Sequence, residues 1–287
     1  MILKFATSLA KKVIKGNLLS SLARKFLNIL LEYKILDLRL STLIELNLTM
    51  RPNYIYCLYH SAILARSLGI KKISIIEFGV AGGNGILFLE SYQQKIFDET
   101  GVSIEIYGFD LGSGLSRPQD YRDLPYWFKE SLYQMNFEKL NNKIRKSKLI
   151  IGDVKNTLKN FFKENNPAPI GAIFNDLDYY TSTKNSFEIF NGNDDYYLPR
   201  VFCYFDDIIG TESEMYSHHN GQLLAIDEFN SENQSKKIVL NQNLIAHQNN
   251  HSFRYQIYYY HNFKHKFYNK FIFEDKQSEL SLSVNLK

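Results

Sequence analysis

Apolar residues recur along this chain in two rhythms. Short, nearly continuous apolar runs at residues 73–76, 104–109, 148–151, 170–174 and 201–205 read as buried strands. Between the first two lies a helical stretch, residues 86–99. Upstream, Arg51-Pro52 opens a helix with Pro52 in its first turn; Tyr56, Tyr59, Ile63 and Leu64 share a face, and Gly69 ends it. Residues 252–260 read as a further strand and residues 230–237, rich in Asn, Ser and Lys, as a loop. Strands alternating with helices imply a mostly parallel α/β sheet covered on both faces.

Residues 1–50 read as a helical extension, and residues 51–287 as one α/β domain with no internal linker or repeat. Lys4, Lys11, Lys12, Lys15, Arg24 and Lys25 precede the first acid, Glu32, and are interleaved with Leu9, Val13, Leu19, Leu22, Phe26 and Leu30. Such a basic amphipathic helix suits peripheral contact with an anionic membrane, a second subunit in a homo-oligomer, or packing on the core. No apolar run is long enough for a membrane span, and the lysines break any signal-peptide pattern.

Composition adds little: 45% hydrophobic and 22% charged residues are ordinary globular values, and a net charge of +4 carries no nucleic-acid signature. Cys57 and Cys203 are far apart in apolar surroundings, which fits buried thiols and a cytoplasmic setting. His247/His251 and His261/His265 have a helical metal-ligand spacing, but the segment between the pairs reads as strand, so no zinc site is expected. His218-His219 follow the fifth strand, near the expected rim, where one could assist as a base.

The first strand runs into Glu77-Phe78-Gly79-Val80-Ala81-Gly82-Gly83-Asn84-Gly85. In open parallel sheets ligands sit beyond the carboxyl ends of the strands, where glycines let the backbone turn and approach them. The run lacks the Gly-Lys-Ser/Thr of a phosphate-binding loop, and Phe88 stands at the last glycine position of the dinucleotide pattern. A carboxylate at Glu77 would repel a pyrophosphate; it suits a cationic ligand such as S-adenosylmethionine. Asp110, ending the second strand, is placed to accept hydrogen bonds from ribose hydroxyls. Asp153, after the third, is a candidate for the adenine amino group or for a helix N-cap.

The fourth strand ends in Asn175-Asp176-Leu177-Asp178-Tyr179-Tyr180-Thr181-Ser182-Thr183, the fifth in Asp206-Asp207. In a parallel sheet these acids share the rim with the glycine loop. Four carboxylates there repel one another unless a divalent cation neutralises them, and an all-oxygen set suits magnesium. Such an ion could activate a substrate hydroxyl while a neighbouring carboxylate takes its proton. An Asp-x-Asp pair after a strand also fits a metal-dependent glycosyltransferase, a reading that leaves the glycine loop unexplained. A third reading is a non-catalytic binding protein that keeps the fold and works through its basic N-terminus.

Taken together, residues 77–85, Gly108-Phe109-Asp110, Asp176-x-Asp178-x-Tyr-x-Ser-Thr and Asp206-Asp207 resemble class I S-adenosylmethionine-dependent methyltransferases, in particular the macrocin O-methyltransferase-like family, over roughly residues 70–230. The resemblance implies a Rossmann-like, doubly wound, mostly parallel seven-stranded sheet. It implies magnesium on Asp176, Asp206 and Asp207, Asp178 as general base, and Gly79, Gly83 and Asp110 at the cofactor, with Ala81 in the same turn. The acceptor it implies is a hydroxyl of a sugar, glycan or related small molecule. This chain departs from the family in Leu177, where a small residue is usual, and in a long insert, residues 112–136. The insert suits either a lid or acceptor-pocket wall, with Arg122, Tyr126 and Trp127 touching the acceptor, or a packed surface loop.

Overall fold

The computed structural model describes residues 38–246 and 253–273. A seven-stranded sheet has the order β3-β2-β1-β4-β5-β7-β6. Its strands are β1 (Lys72–Phe78), β2 (Ser103–Asp110), β3 (Lys148–Ile151), β4 (Ile170–Asn175), β5 (Tyr197–Phe205), β6 (Lys236–Leu240) and β7 (Ile257–Asn262). β7 runs antiparallel to both of its neighbours; the pairings among β1–β5 are parallel.

Successive side chains on a strand point to opposite faces, so a sheet covered on both sides needs apolar residues at every position. β1 follows this except at the buried polar residues Ser74 and Glu77: Ile73 and Ile75 enter one core, Ile76 and Phe78 the other. The first core lies under helices α1 (Leu40–Glu45), α2 (Pro52–Leu68) and α3 (Asn84–Thr100). The second lies under α5 (Val154–Asn165), α6 (Tyr180–Ser186) and α7 (Gly221–Glu232); α4 (Phe137–Asn141) and α8 (Gln242–Ala246) are short.

Several expectations shift in detail. α2 begins at Pro52 and ends on Gly69 in the left-handed conformation, as its sequence predicts. Its deeply buried residues are Tyr54, Ile55, Cys57 and Leu58 with their successors along the helix, whereas Tyr56, Tyr59, Ile63 and Leu64 are half-buried. Residues 230–237 are not one loop. α7 continues to Glu232 and β6 begins at Lys236, because Asn230 side-chain atoms bond both the N–H and the carbonyl of Ile238 and lock helix to strand. The basic positions 4–25 lie outside the described residues, as do His247 and His251; at the end of the expected extension Leu38, Leu40, Leu43, Ile44, Leu46 and Leu48 are buried in the first core. Cys57 and Cys203 are free and buried. Among the described residues no helix is long and apolar enough to cross a membrane.

Candidate active site

The strand order reverses between β1 and β4, the place where open α/β sheets open a crevice. There Phe78 pairs with Asn175, and the chains continue into Gly79 and Asp176. A cavity of about 520 Å³ lies over this point, a size suited to a cofactor or drug-sized ligand.

Gly79 has φ +84°, and a Cβ on it would lie 1.7 Å from the Asp176 carbonyl oxygen, so the two loops touch only because residue 79 has no side chain. Gly85 plays a similar part on α3: its Cβ would lie 1.8 Å from Glu77 Oε1. Glu77 is buried at the end of β1; Oε1 accepts from Tyr54 Oη at 2.8 Å, while Oε2 is buried without a partner. Burial pushes this carboxyl up to about 8. An unpaired buried carboxylate oxygen is costly, and a cationic ligand group would satisfy it.

Asp110 holds the glycine loop. Its Oδ2 accepts from Val80 N at 2.9 Å and Ala81 N at 2.8 Å, and its Oδ1 from Gly112 N at 2.6 Å. A carboxylate offers about four acceptor positions, which leaves capacity toward the cavity that Asp110 lines. Asp153 N-caps α5, Oδ1 accepting from Lys155 N at 2.8 Å, and also lines the cavity. Ala81 lines the same wall; Gly83, expected at the cofactor, does not line the cavity but forms the α3 N-cap, where it packs against Leu140.

Across the cavity the structure brings Asp176, Asp206 and Asp207 together: one carboxylate oxygen from each lies within 4.8 Å of the others. Asp206 Oδ1 accepts from the Tyr204 hydroxyl, and the Asp206 carbonyl from Gln256 Nε2 at 2.8 Å. The Asp207 N–H donates to Gln222 Oε1 at 3.1 Å. Burial, reinforced by neighbouring aspartates, raises the carboxyls of Asp176 and Asp207 well above the ordinary range. An all-carboxylate set held this closely by its own second ring of hydrogen bonds fits a hard divalent cation.

Asp178 stands beside this set. It has φ +59° at the centre of a three-residue turn closed by Tyr179 N to the Leu177 carbonyl at 2.5 Å. Left-handed backbone in a non-glycine residue is strain of the kind that collects at functional sites. Burial, then the charges of Asp206 and Glu214, push the Asp178 carboxyl up to about 7.

The insert walls the cavity with other residues than those expected. Leu115, Gln119, Phe128 and Tyr133 line it; Arg122, Tyr126 and Trp127 do not. Arg122 pairs with Asp120 and lies over the Tyr180 ring, and Tyr126 Oη donates to the Glu214 carbonyl at 2.7 Å, so both fasten the insert down. Buried Asp123 accepts from Thr181 N and Oγ1 at 2.8 and 2.9 Å. His218 meets Asp227 on α7, and His261 meets Tyr268; among the described residues no histidine lines the cavity. Sequence reasoning missed Arg51, Tyr54 and Tyr133, which line the cavity; only the closeness of Arg51-Pro52 to the start of α2 hinted at the first two.

No protein-family model matches the chain, and no curated protein matches it significantly. Solved structures do. The calicheamicin methyltransferase CalS11 is 18% identical, with a TM-score of 0.51 over 89% of this chain and 91% of that one. The chain has the class I methyltransferase fold. The O-methyltransferase NovP is also similar, at 13% identity and a TM-score of 0.46 over 72% of this chain and 79% of that one. The methyltransferase-like sheet carries the switch-point cavity between the glycine loop and the aspartates.

Proposed function

We propose that this protein is a magnesium-dependent O-methyltransferase that moves the methyl group of S-adenosylmethionine to a hydroxyl of a sugar or related small molecule. One observation carries the reading: Glu77, with an unpartnered buried oxygen, and the Asp176–Asp206–Asp207 set line the same cavity. The first suits a cationic cofactor, the second a divalent ion that can hold an acceptor hydroxyl.

In this reading Asp110 and the glycine loop seat the adenosine, and Glu77 takes the cofactor's ammonium. Asp176, Asp206 and Asp207 would hold magnesium, which would supply positive charge that favours deprotonation of a hydroxyl. Asp178 accepts the hydroxyl proton as the oxygen–methyl bond forms and the methyl–sulfur bond breaks. A carboxyl raised toward neutrality is a better proton acceptor than an ordinary aspartate. The insert residues Leu115, Phe128 and Tyr133 cover the acceptor and keep water out. Alignment of the reacting atoms supplies much of the rate.

The sugar hydroxyl rests on the resemblance of the Asp-x-Asp and Asp-Asp motifs; methyl transfer itself is supported by the likeness to the calicheamicin methyltransferase CalS11. A metal-dependent glycosyltransferase is the competing reading. It is disfavoured by Glu77, whose buried carboxyl would face a nucleotide diphosphate. Incubation with radiolabelled S-adenosylmethionine, magnesium and a panel of nucleotide sugars and glycosides tests the proposal. Label should appear in an acceptor and depend on metal; consumption of a nucleotide sugar without methyl transfer would refute it.

A further inference from the structure

Among the described residues, Arg51 is the one cation lining the cavity, against eight carboxylates on the same lining: Glu77, Asp110, Asp153, Asp176, Asp178, Asp206, Asp207 and Glu214. A guanidinium in so acidic a cleft is expected to pair with a carboxylate. Among the described residues Arg51 forms no such pair, and instead lies over the face of Tyr54, 4.9 Å from the ring centroid.

Tyr54 is a rigid support. It is fully buried and stacks on Phe174, with centroids 4.2 Å apart and planes 19° from parallel. Its hydroxyl donates to Glu77 Oε1 at 2.8 Å. One immobile ring therefore carries an anion on its hydroxyl and a cation on its face. Both charged groups line the cavity, and each has hydrogen-bonding capacity left over. For Glu77 this is Oε2; for Arg51 it is the planar fork of N–H donors that matches a carboxylate.

We propose that Arg51 and Glu77 form a clamp for a zwitterionic α-amino acid, with Arg51 taking the carboxylate and Glu77 the ammonium of the cofactor's methionine end. The inference rests on the methyltransferase reading of the cavity and adds a recognition residue to it. The clamp selects cofactors that retain the amino-acid end over adenosine thioethers that lack it. Two other roles for Arg51 are a counter-charge to the aspartate set and a contact for an anionic acceptor; neither depends on the cofactor's amino-acid end.

Calorimetric titration separates these roles. Wild type, Arg51→Met and Arg51→Lys are each titrated with S-adenosylhomocysteine and with 5′-methylthioadenosine, which has the adenosine and thioether but no amino-acid end. The clamp predicts that Arg51→Met weakens S-adenosylhomocysteine about 30-fold, with Arg51→Lys intermediate, in line with loss of a charge-assisted hydrogen-bonded pair. Methylthioadenosine binding should stay within about twofold, and shows that the variant pocket is folded. Equal losses for the two ligands, or no loss for S-adenosylhomocysteine, would overturn the clamp while leaving the methyltransferase reading standing. Failure of the wild type to bind either ligand would remove that reading, and the clamp with it.

Discussion

The backbone N–H of Asp178 donates to Oδ2 of Asp207 across 2.8 Å. This bond joins the end of β4 to the end of β5 and holds the strained turn at Asp178 against the aspartate set. It leaves Asp178 on the cavity lining, beside Asp176, Asp206 and Asp207.

Asp178→Asn keeps size and backbone but cannot take a proton. It should lower kcat on the order of 10²-fold, the usual contribution of a positioned general base. Affinity for S-adenosylhomocysteine should be unchanged. Steady-state kinetics beside calorimetry check this; a kcat equal to wild type would remove Asp178 from proton transfer.

Glu77 gives a pH signature to stability. Its folded-state pKa of about 8 lies above the ordinary 4.5, so its contribution is fully present below about pH 4.5 and is lost as pH rises through about 8. The ligand-free protein should therefore lose more Tm over this range than Glu77→Gln, in which the group no longer ionises. Thermal melts of both proteins across the range measure the difference. Parallel curves would mean that Glu77 does not ionise at a cost.

Gly79→Ala should be among the most damaging single-methyl changes. The new Cβ meets the Asp176 carbonyl at 1.7 Å in a backbone with φ +84°. Strain plus overpacking predicts a loss of about 2–4 kcal/mol and weaker manganese binding, because Asp176 must move. Urea titration and manganese binding by electron paramagnetic resonance report the two effects. A stability within about 0.5 kcal/mol of wild type, the range of a neutral surface substitution, would show that the loops are not locked as described.

Much of this architecture was legible beforehand. β1, β2, β4 and β5 were visible because strands inside a covered sheet are nearly continuous apolar runs; β3, partly exposed at the sheet edge, showed only as the short run Leu149-Ile150-Ile151. The aspartates were visible because acids at strand ends in a parallel sheet must share a rim. β6 was missed: Lys236 and Lys237 open it beside a polar stretch, and its strand character comes from pairing with β7 and the Asn230 bonds. The two readings of the insert, acceptor wall or packed loop, stay open in the sequence for a related reason. Arg122 and Tyr126 look like ligand contacts in sequence, but their partners, Tyr180 and the Glu214 carbonyl, are brought near only by the fold.

Asp123→Ala tests that view of the insert. It orphans the Thr181 N–H at the start of α6 and releases the insert, which should cost about 1–3 kcal/mol. KM for the acceptor should rise, with cofactor affinity unchanged. An unaltered KM would mean that the insert does not shape the acceptor site.

The central claim is a cofactor cavity built for an S-adenosyl ligand beside a metal site. Its most direct test is calorimetric titration with S-adenosylhomocysteine, with and without magnesium, for wild type and Asp110→Ala, with a nucleotide sugar as control. The account predicts micromolar binding by the wild type, weakened about tenfold or more in Asp110→Ala, and no comparable binding of the nucleotide sugar. Absence of S-adenosylhomocysteine binding together with metal-dependent binding of the nucleotide sugar would contradict it.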